Sequence, residues 1–200
     1  NASKTGYETV TNPRYNVTTY TNNLNHKFKF STTNVSQTDT CINLNNAGTT
    51  YTLNGNVVQN SDADCMIVSA QNITLDCQGY SISSAKNFSG VYSNQRNTTI
   101  KNCNISMGSG GNTNAIGIEM GDSADYSSVI NNTIIGEMDY GIDFEIGNNG
   151  PEYSLIENNT VNVNTINSIG GAVATTGIYL YTASNNTLRN NNATSLSEYG

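Results

Sequence analysis

Apolar and polar positions recur on a schedule along this chain. An apolar residue, one spacer, Asn, a mostly polar pair and a second apolar residue run from Ile100 to Ile105, Val129 to Ile134, Ile156 to Val161 and Leu188 to Ala193. The starts of these motifs are separated by 27 to 32 residues. A second series keeps the same phase: Gly90-Val91-Tyr92, Gly117-Ile118-Glu119, Gly141-Ile142-Asp143 and Gly177-Ile178-Tyr179. Short alternating runs bounded by Gly or Asn are strand signals, and a period of this length marks the coils of a solenoid. Helical periodicity is absent, so the fold class is all-β. Alternation within strands predicts that Ile118, Met120, Ile142, Phe144, Ile178 and Leu180 stack inward, coil on coil, leaving Glu119, Asp143 and Tyr179 outside.

The pattern divides the chain in two. Residues 1–37 lack the coil motif and contain alternating segments, Tyr7 to Val10 and Lys27 to Phe30, broken by Asn12-Pro13. They read as an extended β arm that either caps the first coil or pairs with another subunit. Residues 38–200 hold about six coils, the fifth enlarged between Val161 and Thr176, where Gly170-Gly171 suggests a loop or extra hairpin. The last coil closes on Ser197 to Gly200 with no polar cap, so either the sequence is a piece of a longer surface protein or the open strand edge pairs with another subunit. The expected partner is a second copy, joined head to tail through residues 1–37 and the C-terminal coil, an arrangement that propagates rather than closes.

Composition narrows the function. The formal charge is −7, with eight Lys and Arg scattered through the chain, which leaves no basic patch for nucleic acid. No apolar run reaches the ~18 residues of a membrane span. Charged residues make up only 12% while Asn, Ser and Thr dominate, which suits a secreted, extracellular protein at a cell surface. Four cysteines agree with that compartment. Cys41 and Cys65 begin equivalent segments one coil apart, and Cys77 and Cys103 close another pair. Adjacent parallel strands lie ~4.8 Å apart, within disulfide reach. The spacing predicts Cys41–Cys65 and Cys77–Cys103, with an unbonded ladder of buried thiols as the alternative; zinc fits poorly, because there is no CxxC and His26 is distant in sequence.

The run from Cys65 to Ser83, followed by Asn97 to Ser106, resembles secreted right-handed parallel β-helix repeat proteins. These are the NosD-type repeats and the pectate-lyase-like superfamily, abundant in archaeal cell-surface proteins. The likeness covers about residues 40–200 and implies a right-handed parallel β-helix. It is silent on activity, because the fold carries enzymes, adhesins and structural proteins alike. The resemblance also implies an internal ladder of turn asparagines, at Asn102, Asn131, Asn158 and Asn190. Polygalacturonase-like sites need aspartates with Gly-His-Gly and Arg-x-Lys, whereas residues 38–200 have no His and only Lys86, Arg96, Lys101 and Arg189 as bases. A catalytic role is therefore not expected.

One chemical constellation remains. Glu119 and Asp143 occupy equivalent outward positions on neighbouring coils, with Glu145 two residues on. Stacked carboxylates form a solvated stripe, share a proton, or hold a hard cation such as Ca²⁺. Tyr92, Tyr179 and Tyr181 offer either a sugar-stacking platform, the carbohydrate-binding alternative, or ordinary cross-strand packing. Asn-x-Ser/Thr triplets occur eleven times where 35 Asn and 45 Ser plus Thr predict about eight by chance, so position matters more than number. Asn16, Asn34, Asn87, Asn97 and Asn185 are the expected glycosylation acceptors. Asn131 and Asn158, on the expected inner ladder, are not.

Overall fold

The computed structural model describes residues 34–108, 114–145, 150–165 and 175–197. A lead strand, β1 (Asn34–Thr38), precedes six coils of three strands each. The first two coils are β2 (Asn43–Leu44), β3 (Thr49–Leu53) and β4 (Val57–Gln59), then β5 (Met66–Val68), β6 (Thr74–Asp76) and β7 (Ser81–Ser84). The middle pair is β8 (Ser89–Ser93), β9 (Thr99–Lys101) and β10 (Asn104–Met107), then β11 (Ile116–Met120), β12 (Ser128–Ile130) and β13 (Thr133–Glu137). The last pair is β14 (Tyr140–Phe144), β15 (Leu155–Glu157) and β16 (Thr160–Thr165), then β17 (Thr176–Leu180), β18 (Thr187–Arg189) and β19 (Asn192–Ser197).

Like strands stack on like. One sheet runs β1-β3-β6-β9-β12-β15-β18, a second β4-β7-β10-β13-β16-β19 and a third β2-β5-β8-β11-β14-β17. All strand pairings among the described residues are parallel, so the described chain is an all-β parallel solenoid. Apolar residues at matching positions build three inner columns. Leu75, Ile100, Val129 and Ile156 form one, Ile82, Ile105, Ile134 and Val161 another, and Val91, Ile118 and Ile142 the third; all are buried. Burying each such side chain contributes roughly 1.5–3 kcal/mol. The expected inward Met120 and Phe144 are fully buried, while Ile178 and Leu180 in the last coil are only partly covered.

The coiled body starts earlier than the expected boundary at residue 38. β1, at the end of the expected arm, pairs in parallel with β3 from Asn34↔Thr49 to Thr38↔Leu53. The alternating segments Tyr7–Val10 and Lys27–Phe30 lie outside the described residues, as does the Gly170-Gly171 enlargement. Glycine at the start of the third sheet's strands is a packing requirement. A Cβ on Gly90 would stand 2.8 Å from the Gly117 carbonyl oxygen, and one on Gly117 would stand 2.7 Å from an Ile134 methyl.

Two staples tie the early coils together. Cys41 bridges Cys65 with Cα atoms 4.6 Å apart, and Cys77 bridges Cys103 at 4.7 Å. Both are the pairs that the coil spacing predicts.

The asparagine ladder sits one residue away from its expected place. Asn102, Asn131, Asn158 and Asn190 adopt left-handed φ values of 55–57° at the turns, and Asn131, Asn158 and Asn190 are exposed. Asparagine tolerates this conformation because its short polar side chain bonds locally. The inward positions belong to Cys103, Asn132, Asn159 and Asn191. The Cys103 N–H donates to Asn132 Oδ1, Asn132 N–H to Asn159 Oδ1 and Asn159 N–H to Asn191 Oδ1, each at 3.0 Å. Their amide nitrogens donate in turn to the carbonyls of Ile100, Val129 and Ile156. Because side chains alternate, a slip of one residue exchanges inside and outside. Asn131 and Asn158, expected to be sealed from modification, therefore face solvent.

Candidate functional site: an acid and tyrosine face

The third sheet carries the chemistry. Its outer column, in register, is Asn43, Ile67, Tyr92, Glu119, Asp143 and Tyr179. Beside it runs a second column of Ser89, Ile116, Tyr140 and Thr176. Glu119 and Asp143 are therefore neighbours on adjacent coils, roughly one strand spacing, ~4.8 Å, apart along the backbone.

The two carboxyl groups differ in surroundings. The Ser89 hydroxyl donates to Glu119 Oε2, and the Ser89 N–H donates to Asp64 Oδ1 at 2.8 Å, so Glu119 belongs to a small polar network. Asp143 has only 5% of its surface exposed, and its Oδ1 has no hydrogen-bond partner. Of the three readings, the solvated stripe fails at Asp143, which is buried, while Glu119 is half-buried. Burial raises Asp143 to about 7, and the charges of Glu119 and Glu145 add to the effect. Burial likewise raises Glu119, with Asp64 pushing the same way and the Ser89 hydrogen bond opposing. Asp139, at the entry to β14, is also raised by burial, against a bond from the Asn114 backbone.

Tyrosines frame the pair on its far side. The Tyr140 and Tyr179 rings lie 5.0 Å apart, and Tyr179 and Tyr181 are near-parallel at 6.3 Å. The Tyr179 hydroxyl donates to Glu145. Tyr92 does not join them, because Glu119 and Asp143 stand between it and Tyr179. The three tyrosines expected to act together form two groups, and Tyr179 packs against its neighbours.

Among the described residues no three His, Cys, Asp or Glu side chains converge to hold a metal. Glu119 and Asp143 alone fall well short of the 6–8 oxygens that Ca²⁺ takes. All four basic residues of the coils are engaged elsewhere: Lys86 with Asp62, Lys101 with Asp76, Arg189 with Glu157, and Arg96 over the Tyr126 ring at 4.3 Å.

This geometry and a match to a known family model agree. The model for the right-handed beta helix region covers residues 40–200. The chain belongs to the right-handed β-helix family. No curated protein and no solved structure matches it. In this β-helix the expected sequon acceptors are dispersed: Asn34, Asn97 and Asn185 are exposed, Asn87 is half-buried, and Asn16 lies outside the described residues.

A second aromatic row escaped the sequence reading. Tyr126 and Tyr153 stack at 5.2 Å, both exposed and both left-handed at φ 57° and 55°. Beneath that turn runs another buried ladder, from the Thr98 N–H to Ser127 Oγ, Ser127 N–H to Ser154 Oγ and Ser154 N–H to Asn186 Oδ1. The signal was present: Tyr126-Ser127 and Tyr153-Ser154 align with Asn97-Thr98 and Asn185-Asn186.

Proposed function

We propose that this β-helix is an extracellular structural subunit that stacks end to end with copies of itself and has no catalytic role. One observation carries the reading. Leu188 continues the inner column of Ile156, yet Ile156 is 0% exposed and Leu188 46%. Ala193, in register with the buried Val161, is exposed as well. Among the described residues, β17, β18 and β19 leave one backbone edge unpaired, as do β1, β2 and β4 at the opposite end. Apolar inner positions and free parallel edges are what a further coil would cover, whether more of the same chain or a second copy supplies it, and repetition of the second, non-closing contact yields a filament. Two disulfides support an oxidising, extracellular setting. Exposed sequons at Asn34, Asn97, Asn131, Asn158 and Asn185 support a glycosylated surface.

Sedimentation velocity and negative-stain microscopy of secreted full-length chain test the reading, with glycopeptide mass spectrometry on the same material. The expectation is concentration-dependent axial assembly that Leu188→Asp suppresses, and glycans on the exposed sequons. A chain that stays monomeric at millimolar concentration overturns assembly, and unmodified sequons in a glycosylating host remove the glycan part.

A further inference from the structure

One corner of the spiral keeps the same backbone shape from coil to coil. Gly48, Asn72, Asn97, Tyr126, Tyr153 and Asn185 succeed one another there. The N–H of Gly48 donates to the Gln71 carbonyl, Asn72 to Arg96, Asn97 to Asp125, Tyr126 to Glu152 and Tyr153 to Ser184. All six residues have left-handed φ values, between 55° and 72°. Glycine and asparagine suit that conformation, whereas a bulky aromatic is held there at a cost. Two consecutive tyrosines at such a corner therefore mark a place with a use beyond the turn itself. That use is not core packing, because Tyr126 is 45% exposed and Tyr153 52%.

The rings form a stack with a cap at one end. Arg96, from the coil before, covers Tyr126 at 4.3 Å, and Tyr126 covers one face of Tyr153 at 5.2 Å with the planes 16° from parallel. Rings that stack between successive coils lie across the solenoid axis. The second face of Tyr153 is thus turned to the next coil, where Asn185 springs from the same column. Asn185 is exposed and opens the acceptor triplet Asn185-Asn186-Thr187, whose Thr187 is exposed as well. Its Nδ2 donates to Ser184 Oγ at 3.3 Å, and that hydroxyl donates to Glu152 Oε1 at 2.7 Å. Attachment of a sugar replaces one of the two Nδ2 hydrogens and leaves the other. At the opposite end of the stack, Asn97 Nδ2 is bound to Asn72 Oδ1 at 2.8 Å, and Arg96 already occupies the tyrosine face.

We propose that a sugar N-linked to Asn185 lies flat against the second face of Tyr153 and completes the stack that Arg96 begins. The ligand class is a hexose or N-acetylhexosamine in pyranose form, which offers a face of C–H bonds to the negative π face of the ring. Coils ~4.8 Å apart set two such rings within the ~4.5–7 Å separation of stacked partners. The platform rests on the glycosylated surface proposed above and gives one of its sugars a fixed seat. Tyr126 is a positioning residue, holding Tyr153 across the axis without touching the sugar.

The test uses full-length chain secreted from a glycosylating host, unaltered and as Asn185→Gln, Tyr153→Asn and the double variant. Glutamine is tolerated at such a corner, as Gln78 at φ 52° shows, and Tyr153→Asn creates no acceptor triplet because Leu155 follows two positions on. Glycopeptide mass spectrometry is expected to find sugar on Asn185. Nuclear magnetic resonance is expected to place the C–H protons of that sugar upfield of their positions in Tyr153→Asn, through the ring current of Tyr153. In chemical denaturation, Tyr153→Asn is expected to raise the unfolding constant about three- to tenfold more in the glycosylated chain than in the Asn185→Gln background. Sugar on Asn185 without the upfield shift, or with additive variants, overturns the platform and leaves the glycosylated surface intact. Bare Asn185 beside occupied Asn97, Asn131 or Asn158 also overturns it, again sparing that surface. Sugar on no acceptor at all removes both readings together.

Discussion

Asn131 and Asn132 are adjacent in sequence and opposite in role. Asn132 is 1% exposed and accepts from Cys103 while donating to Ile100, so Asn132→Ala strands buried polar groups on two coils. Leaving such groups unpaired costs about 1–3 kcal/mol each. Asn131→Ala loses only the tolerance for a left-handed φ, worth about 1–2 kcal/mol. Chemical denaturation of the two variants is expected to rank Asn132→Ala as the more damaging, and Asn131→Gly as nearly neutral. The reverse order would put the ladder back at its sequence-expected register. Asp143 sets a pH dependence. Its folded value of about 7 lies above the ordinary 3.8, so between these limits the folded chain holds a proton that the unfolded chain has released. The contribution of Asp143 to stability therefore falls as pH rises from about 4 to about 7, and is flat on either side. In dilute, unassembled protein, Asp143→Asn is expected to flatten that slope, leaving the smaller part that Glu119 and Asp139 contribute, and to gain about 1–3 kcal/mol at pH 8, with no gain at pH 4. Thermal melts across pH decide this, and parallel curves for both proteins would refute it.

At the scale of elements, what could be read in advance was whatever repeats with a two-residue alternation. The glycine series marks the third sheet because its strands pack against the neighbouring sheet without room for a Cβ, as at Gly90 and Gly117. The paired cysteines follow from coil length, since matching positions on stacked strands are disulfide-close. Register at the turns was less legible. Asn-Asn in Asn131-Asn132 and Asn158-Asn159 offers two candidates for one inner position, and composition does not separate a residue that bonds inward from one that bends the backbone. Cys103 in the same column was the available discriminator, because a disulfide cysteine at the residue after Asn102 fixes which of the pair faces in. The acid pair was legible as a pair, through equal offsets from Gly117 and Gly141. The burial of Asp143 was not, because alternation says which side of a sheet a residue takes and nothing about what covers that side.

Across the whole molecule, covalent reinforcement is lopsided. Cys41–Cys65 joins the first coil to the second and Cys77–Cys103 the second to the third, while the coils from β11 onward rely on hydrogen bonds and apolar columns. Repeat arrays lose order locally, one unit at a time, because each unit contacts only its neighbours. Reduction with a thiol is therefore expected to lower the unfolding midpoint of the first three coils and leave protection of the last three nearly unchanged. Loss of a native disulfide costs about 2–5 kcal/mol, and amide hydrogen exchange with peptide resolution reads the difference. Uniform loss of protection along the chain would show a single cooperative unit instead. The same asymmetry has a mechanical side. All ladder bonds lie along one axis, so a pull on the far terminus opens them in sequence like a zip rather than shearing them in parallel. Such peeling meets no covalent obstacle until it arrives at Cys103, where the thread stops paying out: the molecule is extensible at one end and leashed at the other.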